Sequence, residues 1–269
     1  MNVSCISLLT DFGLCDEYVG VMKGVIASIN PHASVIDICH NIAPQNIVQA
    51  AYMLWFSHKY FPENTVHVAI VDPGVGTNRR IIALKANGYF FLAPDNGILT
   101  LIINNYKCLP VCLTESKYYL SRVSSTFHGR DIFAPVAAHL SKSRQLSQFG
   151  ETISTHQLAK ISDIHPIKKE GQLVGKVIMT DHFGNLITNI SQQDLHPKLY
   201  CSTIIHINDD ISIQGISDNY MQVQKGNVLG IIGSKGLLEI SISSGNARRE
   251  LGIENGCPIS VIQNKALTN

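Results

Sequence analysis

The stretch that decides the reading of this chain is Thr65–Arg80, TVHVAIVDPGVGTNRR. Its first seven residues are β-branched or apolar apart from His67, and predict a buried strand. A carboxylate, two glycines and two guanidiniums follow at once. Open α/β sheets place their ligand crevice at the carboxyl ends of the strands. Gly74, Gly76 and Pro73 let the backbone turn sharply there, and Asp72 and Arg79 bring opposite charges into one loop. Two readings stand side by side: a binding loop, or a tight turn closed by a surface ion pair that contributes little.

Working outward, the flanks alternate between the two periodicities. After the strand-like Cys5–Leu9 and a loop at Asp11, Val19, Met22, Ile26 and Ile29 recur at helical spacing until Asn30-Pro31, and Val35–Ile38 reads as a strand. A second helix is expected from near Pro44, with Ile47, Ala50, Ala51, Leu54 and Trp55 on one face. Residues 80–92 predict a hairpin through Asn87-Gly88, followed by Ala93-Pro94-Asp95-Asn96-Gly97 and an apolar helix to about Ile103. Another helix follows His128, burying Ile132, Val136 and Leu140. From Val174 onward only short β-type runs appear, with no convincing helix. The fold class expected is α/β: an N-terminal α/β sheet domain over residues 1–160, a polar linker over 161–172, and a smaller C-terminal all-β domain, barrel-like, over 173–269.

Composition narrows the function. The 269 residues are 45% hydrophobic and 15% charged, enough apolar material for real cores and too little charge for disorder. The net charge is +1 with no basic run, which argues against nucleic acid and anionic membranes as partners. No segment approaches the roughly 18 apolar residues of a membrane span, and the first residues lack a basic region followed by an apolar run, so a cytoplasmic location is expected. Seven cysteines without a CxxC pair predict free thiols, and eleven dispersed histidines without HExxH predict no metal site. There is no third glycine after Gly74 and Gly76 and no GxxxxGK loop, so a phosphate-bearing cofactor is not implied.

Four motifs in order, Thr10-Asp11-Phe12-Gly13 with Asp16, the Asp72–Arg80 loop, Ser125-Thr-Phe-His128-Gly-Arg-Asp131 and Asp181-His-Phe-Gly-Asn185, resemble the S-adenosyl-L-methionine hydroxide adenosyltransferase family, relatives of fluorinating and chlorinating enzymes. The resemblance runs from Leu8 to about Ile262. It implies that S-adenosyl-L-methionine is the substrate rather than a cofactor. It makes Asp72, Arg79 and His128 the residues that activate water, with Arg79 chosen over Arg80 by its spacing from Asp72. It also implies a homotrimer, with each site between one copy's first domain and a neighbour's second.

The remaining positions keep two readings. Asp11 either closes a turn or accepts from a ribose diol, and Asp16 caps a helix or meets the substrate ammonium. Asp181 and Asn185 form an Asx turn or, by resemblance, contact the methionine amine and adenine. Ser234 matches a methionine-carboxylate neighbour and Asn246-Ala247 an adenine contact, while Tyr220 is either core or a stacking ring. Lys235 stands where some halogenating relatives have Arg, which removes a bidentate fork. Halogenating relatives also carry Tyr in place of Asp72, and a second anion beside a halide in a dry site costs several kcal/mol. Water is therefore the expected nucleophile, with a halogenase and a non-catalytic adenosine or S-adenosylmethionine sensor as the alternatives. A serine or cysteine hydrolase is disfavoured because no GxSxG occurs.

Overall fold

The computed structural model describes residues 4–208 and 210–263, so the outermost residues of both expected domains, 1–3 and 264–269, lie outside the described residues. The chain forms two units, Met1–Ser162 and Asp163–Asn269, each built around its own large sheet.

The first unit runs β1 (Ser4–Thr10), α1 (Tyr18–Ile29), β2 (Ala33–Cys39), α2 (Ile47–Ser57), β3 (Val66–Ile70), β4 (Ile81–Ala86), β5 (Tyr89–Pro94), α3 (Thr100–Asn105), β6 (Cys108–Leu113), α4 (Ala134–Ser143) and β7 (Gly150–Thr152). Its sheet order is β2-β1-β3-β5-β4-β6-β7. The first four strands in that order pair parallel, and the β5–β4, β4–β6 and β6–β7 pairs are antiparallel, which makes the sheet mixed. Strand side chains alternate between faces. Leu8, Val68 and Ile70 therefore pack with Met22 and Ile26 of α1 and Val136 and Leu140 of α4. Leu9, Ala69 and Phe91 pack on the other face with Ala50 and Leu54 of α2 and Ile102 of α3. Both faces being covered explains why β3 reads as a continuous apolar run.

Two local expectations shift. The second helix begins at Ile47 and not at Pro44, because Gln45 takes a left-handed φ of 63° and the Asn46 side chain caps the helix by accepting from Gln49 N at 2.9 Å. The helix after His128 starts as a π-helical turn, Gly129–Phe133, before it becomes α4 with Pro135 in its first turn.

The second unit contains β8 (Ile167–Lys169), β9 (Gln172–Thr180), β10 (Leu186–Ser191), β11 (Thr203–Ile207), β12 (Ile211–Gln214), β13 (Ile216–Ser217), β14 (Val228–Ile232), β15 (Leu237–Ile242), α5 (Ala247–Leu251) and β16 (Pro258–Gln263). Its sheet order is β12-β11-β16-β9-β10-β15-β14-β13, with β8 pairing β9. Thus β8 lies within the stretch read as linker. Leucine and isoleucine side chains of β10, β11, β15 and β16 fill the core. The expectation of no helix is corrected by α5, whose five residues are too short for a periodic signal.

Candidate active site

In the first unit's sheet, β5 lies between β3 and β4. The Val71–Arg80 connection therefore crosses over the carboxyl end of β5 and puts Asp72 and Arg79 at the strand ends. A second loop, ending at His128, meets it. Gly76 has φ 78°, and a Cβ there would overlap the Ser125 carbonyl oxygen, so only glycine allows this approach.

The three side chains form one chain of contacts. Arg79 Nε donates to Asp72 Oδ2 at 2.7 Å, and its Nη2 approaches the same oxygen. Arg79 Nη2 also lies 2.8 Å from His128 Nδ1. A guanidinium can only donate, so Nδ1 is the acceptor and the imidazole is neutral, carrying its proton on Nε2. Burial and then the Arg79 charge push the His128 pKa below its ordinary value, against smaller opposing effects of Asp72, Asp131 and the Ser124 carbonyl. Asp72 and Arg79 side chains are only 5% and 10% exposed, which protects the pair from solvent screening. Asp72 Oδ1 is buried and receives no hydrogen bond from any described residue. It is the open acceptor of the group. Arg80 turns away to Asp95 at 2.8 Å.

A cleft of about 460 Å³ opens beside this group, lined by Asp11, Phe12, Tyr18, Pro44, Gln45, Ile70, Asp72, Pro73, Val75, Thr126, Phe127, His128 and Gly129. Asp11 lies in it with Oδ2 accepting from Gln45 N at 2.9 Å. Asp16 does not line it and does not cap α1, whose N-cap position falls on Glu17. In this cleft the residues missed by sequence reasoning are aromatic. Phe12, Tyr18 and Phe127 meet edge to face with centroids 5.0–6.0 Å apart and form an apolar wall. Phe12 and Phe127 sat inside the motifs, where only the polar members were read.

In the second unit the candidates are tied into local structure. Asp181 Oδ1 accepts from Phe183 N and Asn185 N, both at 2.9 Å, and Oδ2 accepts from Asn185 Nδ2 at 2.8 Å. The Asx turn is therefore present. Asn246 caps α5 by accepting from Arg249 N at 2.9 Å, and a Cβ on Gly184 would overlap the Asn246 amide. That contact brings Asp181, Asn185, Asn246 and the buried Ala247 into one neighbourhood. Ser234 is exposed on the β14–β15 turn. Tyr220 is not core: it is 42% exposed and its hydroxyl donates to Glu239 Oε2 at 3.1 Å. Burial and Glu239 push its pKa up to about 12. Glu239, missed earlier, is buried and its own pKa is raised by burial, with Tyr220 and Lys235 opposing and Asp181 adding to the rise. A charge inside the apolar run Leu237–Ile242 was the available signal.

Among the described residues no group of three or more His, Cys, Asp or Glu side chains could hold a metal ion. Among them, too, no helix is long and apolar enough to cross a membrane.

Comparison with known proteins agrees with this architecture. Residues 6–150 match the SAM hydroxide adenosyltransferase N-terminal domain and residues 175–260 the corresponding C-terminal domain. The chain is 36% identical to the (R)-S-adenosyl-L-methionine hydrolase of Methanocaldococcus jannaschii, covering 96% of this chain and 95% of the relative. It is 32% identical to the enzyme of the same name from Thermus thermophilus, covering 94% and 98%. Fluorinase from Nocardia brasiliensis is 28% identical over 71% of this chain and 72% of its own. The crystal structure of an uncharacterized conserved protein from Thermotoga maritima superposes with a TM-score of 0.88 at 35% identity, covering 96% of this chain and 99% of that one. With both domain models matched in order along most of its length, the chain belongs to the SAM hydroxide adenosyltransferase family.

Proposed function

We propose that this protein hydrolyses S-adenosyl-L-methionine to adenosine and L-methionine by attack of water at C5′. The observation that carries the proposal is the Asp72–Arg79–His128 chain, with its one uncommitted acceptor, Asp72 Oδ1, beside the cleft. Its hydrolase relatives support the same substrate.

Methionine leaves as a neutral thioether and needs no proton, so catalysis concerns the incoming water. Bulk water has a pKa near 15.7, and forming hydroxide at pH 7 costs about 12 kcal/mol at roughly 1.36 kcal/mol per unit. A carboxylate alone is too weak a base to supply that. In this reading Asp72 Oδ1 accepts a hydrogen bond from water and orients its lone pair toward C5′; as the C5′–O bond forms and the C5′–S bond breaks, the now strongly acidic water proton passes to that carboxylate and from it to solvent. The Arg79 charge stabilises the hydroxide character that develops as the bond forms. His128 holds the guanidinium in place through Nδ1, and since that lone pair is committed, it assists by position and not as the first proton acceptor. Hydroxide and sulfonium annihilate charge as they react, which an apolar wall such as Phe12, Tyr18 and Phe127 favours.

Asp11 takes the ribose diol and Asp16 the substrate ammonium. Asp181, Asn185, Tyr220, Ser234, Asn246 and Ala247 of the second unit serve methionine and adenine, in a cytoplasmic homotrimer where a neighbouring copy completes each site. No cofactor takes part. Incubation in H₂¹⁸O followed by mass spectrometry tests the reaction: heavy oxygen in adenosine is expected. Recovery of 5′-halo-5′-deoxyadenosine in the presence of halide would assign a halogenase, and tight adenosine binding without turnover a sensor. Light scattering tests the trimer.

A further inference from the structure

One sequence motif is left without a role by this reading: Asp95-Asn96, immediately past β5. Neither residue lines the cleft. The sheet order puts them directly beneath the bridge that carries Asp72 and Arg79 from β3 to β4. Their contacts reach both feet of that bridge.

At the β3 foot, Asn96 Nδ2 donates to the Val71 carbonyl at 2.8 Å, one residue before Asp72. The amide is held in that orientation because its oxygen accepts from Ile98 N at 3.3 Å, across Gly97 with its positive φ of 101°. At the β4 foot, Asp95 N donates to the Arg80 carbonyl at 3.0 Å and Asp95 Oδ2 accepts from Arg80 Nε at 2.8 Å, one residue after Arg79. Asp95 Oδ1 accepts from Ala159 N at 2.8 Å, and Arg80 Nη2 reaches the Gln157 carbonyl. The Asp95 side chain is 7% exposed, so the ion pair is partly shielded.

We infer that Asp95 and Asn96 are positioning residues that pin the two ends of the Val71–Arg80 bridge, and thereby hold Asp72 and Arg79 at the separation the reaction requires. The inference rests on the proposed function for its kinetic consequence but not for its geometry. A ten-residue connection with two glycines has many conformations of similar energy, and a displacement of about 1 Å at a reacting group can cost about 100-fold in rate. The pin removes that freedom without occupying the cleft.

The test uses Asn96→Ala, which deletes the β3 tie, and Asp95→Asn, which keeps an acceptor for Ala159 N and removes the carboxylate charge that pairs with Arg80. Two readouts are taken in the full chain. In steady-state kinetics, kcat is expected to fall about 10- to 100-fold with KM for S-adenosylmethionine and affinity for adenosine changed less than about threefold, because the pin acts on the water-side groups. Independently of activity, His128 is titrated by NMR with ¹³Cε1-labelled histidine, its signal assigned with His128→Gln. His128 faces Arg79, Asp72, Asp131 and the Ser124 carbonyl; burial and then the Arg79 charge hold its titration down, so loosening Arg79 moves the midpoint upward in both variants. Folded variants with unchanged kcat and an unchanged His128 midpoint would overturn the inference. So would equal losses in kcat, substrate affinity and thermal stability, which describe general destabilisation. If Asn96→Ala does not fold, Asp95→Asn decides on the same readouts. If the wild-type chain shows no turnover, the proposed function fails while the His128 titration still decides the pin.

Discussion

The two units use polar side chains differently. In the first, Asp72, Arg79 and His128 bond chiefly to one another and leave one buried acceptor, Asp72 Oδ1, without a hydrogen bond from the described residues. In the second, every bonded candidate is committed to the fold: Asp181 to a turn, Asn246 to a helix cap, Tyr220 to Glu239. The difference separates a site whose removal leaves the scaffold standing from one whose residues are also structural. It predicts activity and stability to decouple in the first unit and to move together in the second.

The largest effect is expected from Asp72→Asn, which preserves shape and removes the charge. Its kcat should drop about 10²- to 10⁴-fold while the melting temperature shifts by only a few degrees, measured by product assay and calorimetry. A comparable loss of stability would break the contrast.

The pH dependence sharpens it further. His128 is lowered below 6.5 and acts while neutral, so kcat should hold at pH 6.5 and above and fall as pH drops through its depressed pKa. A second histidine in the same unit, His67, is fully buried beside Ser7 and Phe91, and burial followed by the nearby His58 lowers it to about 3. The unfolded chain takes up that proton near 6.5 and the folded chain does not. Stability is thus complete above pH 6.5 and declines as pH falls toward about 3, by roughly 1.4 kcal/mol per unit at most. The Ser7→Ala/His67→Phe double variant should lose this slope in thermal melts, yet retain the acid limb of kcat.

In the second unit, Asp181→Ala strips an acceptor from three donors and should cost about 1–3 kcal/mol by denaturant titration, together with activity. Asn246→Ala is the smallest expected change, about 1 kcal/mol for a lost cap. Asn246→Asp should restore stability, so any activity still missing in it belongs to ligand contact and not to the cap.

Much of the first unit was legible because its apolar periodicities are long. The runs of β1, β3 and α1 and the order of the loops between them are properties of the chain taken locally. The start of α2 was misplaced because a left-handed Gln45 leaves no compositional mark, and α5 was missed because five residues carry no period. The site divides the same way. Asp72, Arg79 and His128 could be nominated from their loops. The aromatic wall of Phe12, Tyr18 and Phe127 and the Asp95-Asn96 ties could not, since they depend on partners far away in sequence, and Glu239 carried a signal, a charge within an apolar run, but its Tyr220 partner did not show.

By itself, then, the sequence determined the alternation of strands and helices, the family and the identity of the charged residues at the strand ends, because these follow from local pattern and residue type. Only the tertiary structure decided that Arg80 turns to Asp95, that the His128 imidazole is a neutral acceptor, and that one carboxylate oxygen receives no hydrogen bond from the described residues. Those outcomes depend on β5 lying between β3 and β4. Strand order is set by the packing of whole faces against helices, a sum over contacts that no single stretch of chain contains.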